Sequence, residues 1–152
     1  MKDLVKTESI PAGIDSVWAA WTTDGGVRGF FAPDSRVEAE PGGRYELYFA
    51  LEMPEGQRGS EGCVVVAADR PRRLEVTWNF PPSLPTIRDE RTRVIIELRD
   101  NDPDTAVTLR HTGFADGPEW AEGRAYFDRA WDTVLGRLRE RFERGPIDWH
   151  AE

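Results

Sequence analysis

The chain has 152 residues, 39% hydrophobic and 32% charged, with a formal net charge of −8, so one domain with a real apolar core is expected. No apolar run approaches the ~20 residues of a membrane helix, and the acidic balance disfavours nucleic acid and anionic membrane as partners, both being polyanions. A single cysteine, Cys63, excludes an internal disulfide and a thiolate metal cluster.

Residues 3–10 (DLVKTESI) alternate loosely and predict a strand. This N-terminus lacks the apolar centre of a signal peptide, so a cytoplasmic setting is the expectation. Pro11-Ala12-Gly13 breaks the strand. IDSVWAAWT then predicts a short helix with Val17, Trp18 and Trp21 on one side and Asp15 in its first turn. Thr23-Asp24-Gly25-Gly26 ends it, its glycines read as turn residues. VRGFFAP predicts a second short helix, or a turn that sends at least one of Phe30 and Phe31 inward.

From there the pattern is β. SRVEAE predicts a strand and Pro41-Gly42-Gly43 a tight turn. RYELYFALEM sets Tyr45, Leu47, Phe49 and Leu51 against Arg44, Glu46 and Tyr48, predicting a half-buried hairpin strand over 44–53. GCVVVAAD is a short apolar strand. LEVTWNF puts Leu74, Val76, Trp78 and Phe80 on one face. The proline-rich stretch 81–90 predicts an exposed loop over an opening. RTRVIIELRD and TAVTLRHTGF are two more strands around the turn Asn101-Asp102-Pro103-Asp104.

Pro118 to Arg144 predicts one long helix of about 40 Å. Phe127, Trp131, Val134, Leu138 and Phe142 recur every three or four residues on one face, and the other face is charged. Asp116 with Glu119 predicts a capping box, Pro118 suits the first turn, and Gly145-Pro146 is a stop signal. Gly123 marks the expected start of the continuous helix, with Trp120 on a preceding turn at the mouth of a cavity. Gly136 marks an expected close approach to the sheet. The tail 145–152 has no periodicity and is expected to pack loosely. Strands followed by one helix predict an α+β fold: a curved antiparallel sheet of six to seven strands wrapped on the long helix, in a single domain over 1–152 with its core at 3–144. A curled sheet closing on one helix leaves space between them, and pockets favour such places.

Chemical motifs are sparse. Two histidines and one cysteine compose no metal site, and neither a P-loop nor a GxGxxG or GxSxG pattern is present, so no metal or cofactor is expected. Cys63 beside Val64-Val65-Val66 is expected to be a buried, inert thiol. His111 shares strand parity with Val107 and Leu109 and is a weak acid/base candidate; a hydrogen-bonded imidazole lining the cavity explains it as well. The stronger signal is aromatic. Phe30, Phe31, Tyr48, Trp78, Phe80, His111, Phe127 and Trp131 are the candidate cavity residues, an apolar wall with a few polar atoms that suits a hydrophobic or aromatic ligand.

Five motifs in order carry a resemblance: Ile10–Ala20 (IPAGIDSVWAA); Phe30-Phe31-Ala32-Pro33; Pro41–Tyr45 (PGGRY); Gly62–Trp78, with Pro71, Arg73-Leu74 and Trp78; and Thr105–Leu109, with His111 and Gly113. In this the chain is similar to the START-like, or SRPBCC, superfamily (helix-grip, birch-pollen-allergen-like), and within it to the family named for the activator of the heat-shock protein 90 ATPase. It departs at Ala130-Trp131, where many relatives have Gly-Trp, and at Phe30-Phe31, where many have Trp-Phe. The resemblance implies a helix-grip fold and a small-molecule binding protein with a hydrophobic cavity between sheet and C-terminal helix. The alternatives are a protein-interaction or co-chaperone-like module and a polyketide cyclase- or dehydratase-like enzyme using His111. A monomer or homodimer is expected, and a chaperone partner is not carried over.

Overall fold

The structure, a computed structural model, describes residues 1–150; the last two residues of the tail expected to pack loosely lie outside the described residues. In chain order the elements are β1 (Leu4–Ile10), α1 (Ile14–Thr22), α2 (Asp24–Val27), β2 (Asp34–Val37), β3 (Tyr45–Tyr48), β4 (Val65–Asp69), β5 (Arg73–Trp78), β6 (Thr92–Asn101), β7 (Asp104–Thr112) and α3 (Pro118–Arg144). The α+β arrangement is the expected one, with a difference in the sheet. Five strands in the order β1-β7-β6-β5-β4 form one antiparallel sheet, and β2-β3 form a separate two-stranded one. A single bridge from Arg44 to Val64, next to β4, links the two, and another joins Tyr48 to Gly59 in the loop that follows β3. The break has a local cause. The strand expected over 44–53 stops at Tyr48, and the backbone N–H groups of Phe49 and Ala50 both turn to the carbonyl of Arg58.

Alternation places the core. Leu74, Val76 and Trp78 on β5 and Val94, Ile96 and Leu98 on β6 are buried, and both strands send their intervening residues outward. Phe30 and Phe31 both turn inward after α2, where Trp21 meets them edge-on at 5.0 and 5.7 Å. Gly25 and Gly26 lie inside α2 and not in a turn. A Cβ on Gly26 would strike the backbone of Ala19 and Ala20, so glycine there permits the close approach of α2 to α1.

Helix α3 runs unbroken from Pro118, and the start expected at Gly123 is corrected. Trp120 is half-buried on α3 itself, with its ring 5.1 Å from that of Phe80. The capping box does not form: Gly117 is the N-cap, and the Asp116 carboxylate takes the N-terminal ammonium of Met1 instead, at 3.1 Å. Gly145 closes the helix as expected. The expected close approach is real but belongs to Gly123, where a Cβ would lie 2.5 Å from the Phe80 ring; Gly136 faces open space. Lys6 of β1 pairs with Asp128 and Asp132, and Arg139 with Glu8, which holds the helix across the first strand. The tail docks more firmly than expected. Ile147 donates its backbone N–H to Gly29, and the Trp149 indole donates to the Arg28 carbonyl at 2.5 Å.

Candidate functional site

Trp131 stands where helix and sheet meet, and its two sides differ. Behind it, the indole N–H donates to Nδ1 of His111 at 3.0 Å. An indole nitrogen only donates, so Nδ1 accepts and the proton of the neutral imidazole sits on Nε2. Nε2 therefore donates to Oγ1 of Thr92, 2.6 Å away, and that hydroxyl donates to the carbonyl of Trp78 at 3.3 Å. The relay ties α3 to β7, β6 and β5 in turn. His111 is fully buried, between Phe114 at 4.5 Å and Phe127 at 4.8 Å, and burial pushes its pKa down to about 3. The imidazole is neutral at physiological pH, and both its nitrogens are engaged.

In front of Trp131 lies open space. Its ring sits 5.5 Å from Trp78, 5.8 Å from Phe31 and 6.1 Å from Phe127. These four aromatics floor a groove of about 260 Å³. Its outer wall is a stripe of α3, Tyr126, Ala130, Thr133 and Arg137, and Phe49 closes the other side. Phe49 and Tyr126 stand 44% and 43% exposed at the mouth. A second hollow of about 170 Å³ adjoins it and shares Phe49, Trp78, Tyr126 and Phe127. Its far wall is Phe80, Pro81, Pro82 and Arg88, so the proline-rich loop edges the opening. That loop is pinned: Leu84 and Ile87 are buried, and Arg88 donates to the carbonyls of Phe80 and Gly56.

Of the eight candidate residues, Phe31, Trp78, Phe80, Phe127 and Trp131 thus line the two hollows. Phe30 does not; it is sealed in the core against Trp21. Tyr48 faces a polar depression on the opposite side of the β2–β3 hairpin, and its hydroxyl donates to Glu46 at 2.6 Å. Burial, and then that carboxylate, raise its pKa. His111 lies behind the floor and not in it. Phe49, Tyr126, Ala130, Thr133 and Arg137 were not among the candidates. The helical ones were visible as a stripe beside the core stripe at the same 3.6-residue period. Cys63 is buried and inert, its thiol pushed up to about 11 by burial. Among the described residues, no three His, Cys, Asp or Glu side chains gather as metal ligands. Among the same residues, no helix is long and apolar enough to cross a membrane.

The family model described as activator of Hsp90 ATPase homolog 1-like protein matches residues 11–143. The chain belongs to that family. A search of curated proteins returned no significant match. Solved structures agree on the fold. Protein MLL2253 from Mesorhizobium loti superposes with a TM-score of 0.75 at 18% identity, covering 96% of this chain and 100% of that one. The Aha1 dimer from Colwellia psychrerythraea gives 0.71 at 18% identity, covering 95% and 98%. CalU16 from Micromonospora echinospora gives 0.69 at 18% identity, covering 97% and 77%. At these identities the likeness carries the helix-grip fold and nothing finer.

Proposed function

We propose that the chain is a cytoplasmic small-molecule binding protein that takes a hydrophobic, preferably planar aromatic, ligand into the groove between α3 and β5. The observation that carries this is the groove of about 260 Å³ floored by Phe31, Trp78, Phe127 and Trp131, open to solvent between Phe49 and Tyr126. Apolar surface left uncovered beside an ordered aromatic floor gains roughly 25 cal/mol per Å² when a ligand covers it. The enzyme alternative needs an imidazole that can reach the ligand. His111 is buried behind Trp131 with both nitrogens taken, which speaks for a structural role. A second reading rests on the exposed apolar rim Phe49, Leu51 and Met53, which a second copy of the chain would cover in a homodimer.

The test is titration with N-phenyl-1-naphthylamine, a neutral apolar fluorophore. Wild-type protein should enhance its emission and lose tryptophan fluorescence in step. Ala130→Trp, which fills the groove from the helix side, should fold normally and do neither. Equal binding by both proteins contradicts the groove as the site. Sedimentation equilibrium tests the second reading: a dimer weakened by Phe49→Ser and Leu51→Ser supports it.

A further inference from the structure

The groove carries a charge pattern that the chain as a whole does not. The protein has 28 acidic against 20 basic residues. Yet no Asp or Glu lines either hollow, and three arginines do: Arg58 and Arg88 in the smaller, Arg137 in the larger. An apolar groove without a carboxylate, edged by guanidinium groups on an acidic protein, is a local positive site on a negative surface.

The three arginines differ in what already occupies them. Arg88 is spent on structure, donating to the carbonyls of Phe80 and Gly56 and pairing with Glu61 at 3.5 Å. Arg58 donates its Nε–H to the Met53 carbonyl at 2.7 Å, and its own backbone N–H rests on the same Glu61 carboxylate, so negative charge is close by. Arg137 has no carboxylate partner among the described residues. One turn further along the helix, Glu140 is taken by Arg144 at 3.2 Å. What Arg137 has is a platform: its guanidinium lies over the Trp149 ring, 5.5 Å from the centroid. Trp149 is itself fixed by its bond to the Arg28 carbonyl. A stacked guanidinium keeps its in-plane N–H donors free, and a planar fork of donors matches a carboxylate or sulfonate in two parallel bonds.

We infer that the ligand is an apolar organic anion, with its hydrophobic body on Trp78, Phe127 and Trp131 and its acidic group on Arg137. This rests on the groove reading of the preceding subsection and names the ligand class of that site. The docked C-terminal segment adjoins the site, because the Arg137 guanidinium rests over Trp149.

A matched pair of probes separates the two claims. 8-Anilino-1-naphthalenesulfonate and N-phenyl-1-naphthylamine share one apolar skeleton, and only the first carries an acidic group. Both are titrated into wild type, Arg137→Met and Arg58→Met. Methionine keeps an apolar stem of similar reach while removing the charge. Arg137→Met should weaken the anionic probe about fivefold, the scale of a solvent-exposed ion pair, and leave the neutral probe unchanged. Raising the salt should narrow the difference for wild type and leave the variant flat. If both probes bind wild type and Arg137→Met affects them equally, the acidic-group assignment is overturned and the groove stands. Loss of the anionic probe in Arg58→Met alone overturns it as well, placing the charge at the other end. If neither probe binds wild type, the groove reading itself has failed.

Discussion

The two sides of Trp131 are built on opposite principles. On the inner side every polar atom of the relay has a partner and is shut off from solvent: indole to imidazole, imidazole to the Thr92 hydroxyl, hydroxyl to the Trp78 carbonyl. On the outer side the same ring faces a groove whose walls are half-exposed aromatics and an arginine without an acidic partner among the described residues. A buried polar network is stable only when it is complete, and completeness makes it rigid. The contrast teaches that the histidine anchors the floor of the groove, with both its nitrogens engaged behind Trp131. On the proposed reading, a ring that offers its flat face to a ligand is held from behind.

The largest effect expected of any change to this arrangement is at Trp131 itself. Trp131→Ala removes a buried ring and strands the Nδ1 acceptor of His111, and it should cost about 4 kcal/mol in urea unfolding. Next is the contrast between two glycines of one helix. Gly123→Ala drives a methyl into the Phe80 ring and should destabilise by about 2 kcal/mol, although alanine is the better helix former. Gly136→Ala meets open space and should stabilise by ~0.8 kcal/mol. Equal effects at the two sites would contradict the placement of Phe80 against α3.

The anchor also has a pH signature of similar size to the Gly123 effect. The unfolded chain protonates His111 below about pH 6.5, whereas the folded chain does so only near 3. Between those values unfolding takes up a proton, so stability falls as pH falls; above 6.5 the ring is neutral in both states and adds no slope. From pH 6.5 to 5 the loss should be about 1.6 kcal/mol, in a window above most carboxylate titration. Chemical denaturation of His111→Gln, which is less stable at neutral pH but has no imidazole to charge, should lack that part of the slope. Parallel slopes for the two proteins would mean that the imidazole is hydrated or charged in the fold. The smallest effect belongs to the outer side. Phe49→Ser should change stability by under ~0.5 kcal/mol, because the ring is 44% exposed, while lowering affinity for an apolar probe.

How much of this was legible in the sequence follows from what each signal encodes. Period-two alternation in LEVTWNF placed Leu74, Val76, Trp78 and Phe80 inward, and all four are buried. The period of α3 and the Gly145 signal placed its body and its C-terminal end, while the start lies at Pro118 and not at Gly123. The same alternation misled beyond Tyr48, because Phe49 and Leu51 keep the parity of an inward face after the strand has stopped. Where a strand ends depends on which backbone claims its N–H groups, here that of Arg58, and side-chain pattern does not carry that. The glycines show the same limit. Both interrupt a helical pattern, and only the tertiary position of Phe80 distinguishes the one that must be small from the one that need not be. His111 could be assigned to an inward-facing strand position, but not to a layer: its partners Trp131 and Thr92 lie 20 and 19 residues away in the chain.

The most direct test of the central claim follows the indole N–H cross-peaks of the six tryptophans during titration with N-phenyl-1-naphthylamine. Occupation of the groove should shift the Trp78 and Trp131 peaks together, with Trp131 keeping the downfield position of a hydrogen-bonded indole throughout, and should leave Trp18 in place. Shifts confined to Trp18 or Trp149, or a probe that binds with Trp78 and Trp131 unmoved, would contradict the groove as the binding site.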